Sequence, residues 1–212
     1  MQDLLNKIHH ADCLDFMRQL PDKCIDLVLT DPPYGIGIDG QKESIQGKKS
    51  DRKYHETKGW DNSVPPKEIF DEIFRISKTA IIWGANYFNE FLPQGEKGWL
   101  IWDKGQHGLT MSDCEIAFSN IKKPTRVKVM NRVELMRDDT IHPTQKPLRL
   151  FKWCLEHSET KGIILDCFSG SGTTALACHD LGLDFICIEK DADYHAASVK
   201  RLEEHQRQGK LF

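Results

Sequence analysis

The 212-residue sequence predicts an α/β fold, with helices on both faces of a doubly wound, mostly parallel sheet. Three observations lead there. Short apolar runs recur along the chain, each bounded by Gly, Asp or Pro, as buried parallel strands are. Helical patterns alternate with them. A Gly-rich turn joins one of the runs directly to a helix, the arrangement that places a ligand at a sheet's edge.

The clearest strand is Ile25–Thr30, stopped by a Pro-Pro pair. Further runs lie at 80–83, 99–102, 114–118, 163–166 and 185–188. Between them, Ile69, Phe70, Ile73 and Phe74 share a helical face behind Pro65 and Pro66. Leu148, Phe151, Cys154 and Leu155 share another, opened by Pro147. Residues 172–181 read as a helix stopped by Gly182, and 191–206 as a polar terminal helix. Residues 35–64 have no firm period. A loop of that length in a compact domain points to function, so a mobile functional loop is expected.

Composition narrows the class. Hydrophobic residues make up 39% and charged residues 29%, which suits one globular domain over 1–212. No apolar run approaches the roughly 20 residues of a membrane span, and the N-terminus MQDLLNKIHHAD lacks a leader's apolar stretch. A cytoplasmic protein is expected. Seven cysteines, with no CxxC pair, argue against a disulfide framework or a zinc site, so no metal is expected. Net charge is −3, which disfavours indiscriminate coating of nucleic acid. Two segments are locally basic. Loop 35–64 carries Lys48, Lys49, Arg52 and Lys53, and segment 119–141 carries Lys122, Lys123, Arg126, Lys128 and Arg132. These residues are candidates for a local patch that binds a polyanion, with two solvated loops as the alternative.

Asp31-Pro32-Pro33-Tyr34 ends the first strand. Two prolines stiffen the turn and keep its carbonyls out of a helix. A carboxylate, free carbonyls and an aromatic ring are thereby held at the sheet's edge. That set suits attack by a base's amino nitrogen, whose lone pair is delocalised into the ring. A carboxylate and a carbonyl each accept one N–H and favour the tetrahedral geometry the transition state needs. The base must first leave the duplex, and Tyr34 is placed to stack on it.

The second motif is Phe168-Ser169-Gly170-Ser171-Gly172, between Asp166 at a strand end and Thr173 at a helix start. Glycines admit a ligand close to the backbone, and the helix N-terminus favours negative groups. Glu189 ends the next strand, where an acid binds ribose hydroxyls. A cofactor with a ribose and a carboxylate fits, such as S-adenosyl-L-methionine. Gly170, Gly172 and Ala175 also satisfy the dinucleotide pattern, which leaves a nucleotide-binding oxidoreductase open as a different class. Only 40 residues follow Gly172, too few for the rest of a dinucleotide fold. A Walker loop fails for want of a Lys after the glycines.

With both motifs located, the chain resembles the N4-cytosine/N6-adenine DNA amino-methyltransferases, and most resembles an adenine-specific enzyme. DPPY precedes FxGxG, the permuted order of the beta class. HHADCLDFMRQL resembles that family's lead-in, and His142-Pro143-Thr144-Gln145-Lys146-Pro147 its HPTQKP segment. The resemblance implies a Rossmann-like, circularly permuted methyltransferase sheet of about seven strands, the seventh near residues 7–10. It implies that Asp31 and the Pro32 carbonyl, on the turn with Pro33, accept the target amino hydrogens. Asp12, next to Cys13, would hold the cofactor's adenine and Glu189 its ribose. Loop 168–172 would hold the methionine part, with His142, Thr144 and Lys146 near that end. Cytosine N4 methylation is the alternative; that group more often has Ser where Asp31 stands. RNA or a protein amide is less expected, since those enzymes more often read NPPY. Only about 23 residues, 119–141, are available for target recognition, so a short recognition sequence in duplex DNA is expected, read partly by loop 35–64. No nuclease signature is apparent. A restriction-modification setting and a homodimer are expectations by analogy.

Overall fold

The computed structural model describes residues 1–39, 58–105, 107–108, 112–131, 141 and 144–208. The strands are β1 (Lys7–His10), β2 (Ile25–Thr30), β3 (Ser77–Trp83), β4 (Leu100–Asp103), β5 (Cys114–Ser119), β6 (Arg126–Val129), β7 (Ile164–Asp166) and β8 (Phe185–Glu189). The helices are α1 (Cys13–Met17), α2 (Lys67–Ile76), α3 (Leu148–Ser158), α4 (Thr173–Leu181) and α5 (Ala192–Gln208).

The strands form one sheet in the order β1-β8-β7-β2-β3-β5-β4-β6. Pairing is parallel from β1 through β3 and between β4 and β6. Only β5 runs against its neighbours β3 and β4. From the β7/β2 pair the connections diverge. The chain leaves β7 through α4 toward β8, and leaves β2 through α2 toward β3. That divergence is a topological switch point, where open α/β sheets bind ligands beyond the strands' carboxyl ends. β1 opens the chain yet pairs with the late strand β8, as a permuted order requires.

Strand alternation feeds two cores. Leu27, Leu29 and Ile81 pack with Leu150, Phe151, Cys154, Leu176 and Leu202 under α3, α4 and α5. Val28, Ala80 and Ile82 pack with Met17, Ile69, Phe70, Ile73 and Ile76 under α1 and α2. Pro66 and Pro147 cap the starts of α2 and α3, where a missing N–H costs nothing. Helix α4 runs between Gly172 and Gly182, both left-handed.

About seven strands were expected and eight are present among the described residues. The unforeseen one is β6, inside the segment assigned to target recognition. Its four residues alternate charged and apolar side chains, but three are exposed and one half-buried, so the short pattern faces no core. Pairing with β4 alone makes it a strand.

Candidate active site

Asp31 follows directly on β2, at the switch point. Its Oδ2 meets the Lys146 ammonium at 2.5 Å, and its Oδ1 accepts the Tyr34 hydroxyl at 2.6 Å. Lys146 arrives from the segment before α3 and is 7% exposed. It also contacts Glu115 Oε2 at 3.0 Å, and the other oxygen of Glu115 meets Lys104 at 2.9 Å. The result is an alternating chain of charge: Asp31, Lys146, Glu115, Lys104. Because β5 is reversed, its first residues lie at the edge where β2, β3 and β4 end. Glu115 therefore reaches Asp31, and Lys104 comes in just after β4.

The charges tune one another. Burial pushes the Asp31 carboxyl above its usual range, and the Lys146 ammonium only partly offsets this. Desolvation acts on half-buried Glu115 in the same sense, but Lys146 and Lys104 flank it and hold it down at about 2. Lys146 stays charged despite burial, because two carboxylates face it. Asp31 is thus the member of the chain that takes up a proton most readily.

Tyr34 lies flat against Tyr87, with ring centroids 4.7 Å apart and an angle of 13°. Gly84, at φ +74°, makes the space; a Cβ there would strike the Tyr34 ring. The Tyr34 hydroxyl donates to Asp31 Oδ1, so this oxygen is already engaged in the structure.

A cavity of about 720 Å³ extends from Asp31 and Tyr34 to the Gly-rich turn, a volume suited to a nucleoside-sized ligand. Asp12, Cys13, Thr144, Lys146, Asp166, Ser169, Ser171, Thr173 and Glu189 line it, together with Pro32, Pro33, Phe168 and Gly170. Glu189 accepts the backbone N–H groups of Gly170 and Asp191, each at 2.8 Å, which fixes its carboxylate at the wall. Asp12 caps α1 through Leu14 and pairs with Lys190. Lys58 lines the cavity near Glu189, bound to Asp191 and Asp193 at 2.6 Å each.

Three of the expected cofactor residues have other contacts in the structure. Lys146 serves Asp31 and Glu115, so its charge is already matched and not free for a methionine carboxylate. Asp166 is 2% exposed, and its oxygens accept Thr30, Thr174 and the Phe168 N–H. It braces the Gly-rich turn from beneath. Gly172 is absent from the cavity wall. A Cβ there would meet Ile8 and Ser198 at 3.2 Å, so this glycine serves close packing and a φ of +75°.

The basic residues divide. Lys122, Lys123 and Arg126 follow the end of β5 and open β6. By the sheet's register they sit at the edge opposite Asp31. Lys123 bonds the His157 carbonyl and Glu159 there. Any phosphate contacts that these three residues make would therefore lie away from Asp31. Lys128 is half-buried in β6. Lys48, Lys49, Arg52, Lys53, Arg132 and His142 lie outside the described residues. Glu115, Lys104, Lys58 and Tyr87 were not singled out in the sequence. The only signal for Glu115 was a charge at the head of an apolar run.

Among the described residues no helix is long and apolar enough to cross a membrane, and no cluster of ligands could hold a metal ion. The model of the N6/N4 DNA methylase family matches residues 56–200. The chain belongs to that family, whose members are DNA methyltransferases. It is 27% identical to the type II methyltransferase M.HinfI of Haemophilus influenzae, over 96% of this chain and 70% of that protein. Among solved structures it is similar to M1.HpyAVI in complex with S-adenosylmethionine. The TM-score is 0.61 at 25% identity, over 92% of this chain and 99% of that one. It shares its fold with the cytosine-N4-specific PvuII DNA methyltransferase. There the TM-score is 0.59 at 15% identity, over 94% of this chain and 89% of that one.

Proposed function

We propose that this DNA methyltransferase transfers a methyl group from S-adenosyl-L-methionine to the exocyclic N6 amino group of adenine, with the base rotated out of duplex DNA. The observation that carries the reading is the placement of Asp31. An ionisable carboxylate stands at the switch point, across one cavity from a Gly-rich turn and a ribose-binding acid.

The cavity suits the cofactor. Glu189 offers a fixed carboxylate to ribose hydroxyls, and the backbone of 168–171 offers close approach to the amino-acid end. Bound there, S-adenosylmethionine supplies an electrophilic methyl on a sulfonium. The rest falls to the protein. Asp31 Oδ1 exchanges the Tyr34 hydroxyl for one amino hydrogen of the base, and the Pro32 carbonyl takes the second. The nitrogen would then present its lone pair and gain the methyl group as the carbon–sulfur bond breaks, with that bond's electron pair staying on sulfur, and would lose one proton. Asp31 is suited to receive it, since burial raises its proton affinity. Lys146 holds Oδ2 throughout, so the carboxylate keeps its aim.

Asp rather than Ser at position 31 supports adenine over cytosine. The test is methyl transfer from labelled S-adenosylmethionine to unmethylated genomic DNA, followed by nucleoside mass spectrometry. N6-methyladenine is the expected product. N4-methylcytosine would overturn the choice of base, and no methylated nucleoside at all would overturn the reading.

A further inference from the structure

Six large apolar side chains stand exposed among the described residues: Met1, Ile36, Ile38, Tyr87, Val127 and Val129. Three of them gather at the mouth of the active site. Tyr87 stacks on Tyr34, and Ile36 and Ile38, 51% and 48% exposed, follow Tyr34 within four residues.

The two isoleucines are held out by a built support. Asp61 is completely buried, and its two carboxylate oxygens accept the N–H groups of Gly35 at 2.7 Å and Ile38 at 2.9 Å. Its own carbonyl accepts the Gly37 N–H at 3.1 Å. Gly35 and Gly37 both take positive φ, and a Cβ on Gly35 would lie 2.8 Å from the Val64 nitrogen. The tip 35–38 is therefore fixed at its base and bends at glycines. Two isoleucines are thus kept from burial, and a buried carboxylate is committed to holding them out. A loop that only connects elements needs neither.

We propose that tip 35–38 is a wedge for duplex DNA, with Ile36 filling the place in the base stack that the target nucleotide leaves. The inference rests on the amino-methyltransferase reading above. Ile38 also lines the cavity and Ile36 does not, which leaves Ile36 as the outward point of the tip. Any base reaching Asp31 must leave its helix at this mouth. The vacated step is an apolar slot between two stacked bases, which a branched aliphatic side chain fills and a charged one does not. Unstacking costs a few kcal/mol, so a side chain that occupies the gap favours the extruded state.

The test uses the full chain and two synthetic duplexes bearing the methylation site mapped by sequencing. In one the target base is paired. In the other its partner is an abasic residue, so the target is already free. Ile36→Ala is expected to slow methylation of the paired duplex by at least about tenfold. On the abasic-partner duplex it should stay within about twofold of wild type. Ile36→Leu should restore the rate on paired DNA, and S-adenosylmethionine affinity by calorimetry should be the same for all three proteins. An equal loss on both duplexes, or no loss on either, overturns the wedge. Failure of the wild type to methylate either duplex overturns the methyltransferase reading instead.

Discussion

At Asp31 a single ammonium, that of Lys146, is divided between two carboxylates. The stronger Lys146 leans on Asp31, the poorer a base Asp31 becomes. Glu115 competes for the same ammonium, and Lys104 in turn holds Glu115. Breaking a buried ion pair outright costs about 3–5 kcal/mol. Here, loss of either carboxylate still leaves Lys146 one partner, so single variants are expected to fold. Asp31→Asn should reduce methyl transfer by at least about a thousandfold and leave cofactor affinity within about twofold, by calorimetry. Substantial residual turnover would remove Asp31 from the chemistry. The pH profile adds a second check. Wild-type activity should fall, as pH drops, at a value above the usual carboxylate range, because burial raises Asp31. Glu115 raises Asp31 further, so Glu115→Gln should move that limb to lower pH. A limb that stays put or moves up would show that Glu115 does not act on Asp31.

Among the elements, β7 and the turn that follows it depend on Asp166. This carboxyl is enclosed, and burial raises it to about 6 despite its bonds to Thr174, Thr30 and the Phe168 N–H. The folded state thus keeps the proton to higher pH than the unfolded chain does. The stability gained from the protonated form is complete below about 4 and is lost as pH rises through about 6. The shift corresponds to about 3 kcal/mol. Asp166→Asn, which cannot ionise, should therefore gain in melting temperature relative to wild type as pH goes from 4 to 7. Thermal melts across that range check it, and a constant difference would mean that Asp166 is not charging inside the fold.

For the whole molecule, the direction of the sheet decides which charges meet DNA. Asp31, the cavity and tip 35–38 are at one edge, while Lys122, Lys123 and Arg126 are at the other. Phosphate contacts appear in the salt dependence of binding, at nearly one counterion each. Replacing all three with Ala should leave both DNA affinity and its salt slope as in wild type. A slope reduced by about three would mean that DNA wraps to the far edge.

Local pattern was enough for much of this protein. DPPY after a buried strand, the Gly-rich turn and the acid at Glu189 were all legible, because backbone conformation and chemistry are written there in consecutive residues. Helices α2 to α5 were legible too, from apolar spacing, proline starts and a glycine stop, whereas α1, only five residues long, was not. What escaped was non-local. Glu115 enters the site only because β5 is antiparallel, and Lys104 because β4 ends beside it, pairings that periodicity does not encode. Lys146 was visible as a motif residue, but its contact with Asp31 was not, because 115 residues separate the two. The same holds for the basic segment, where charge was plain and position was not. Sequence alone determined the chemistry available to this chain. Tertiary structure decided which charges neutralise one another, because electrostatic partnership depends on distance and burial rather than on order along the chain.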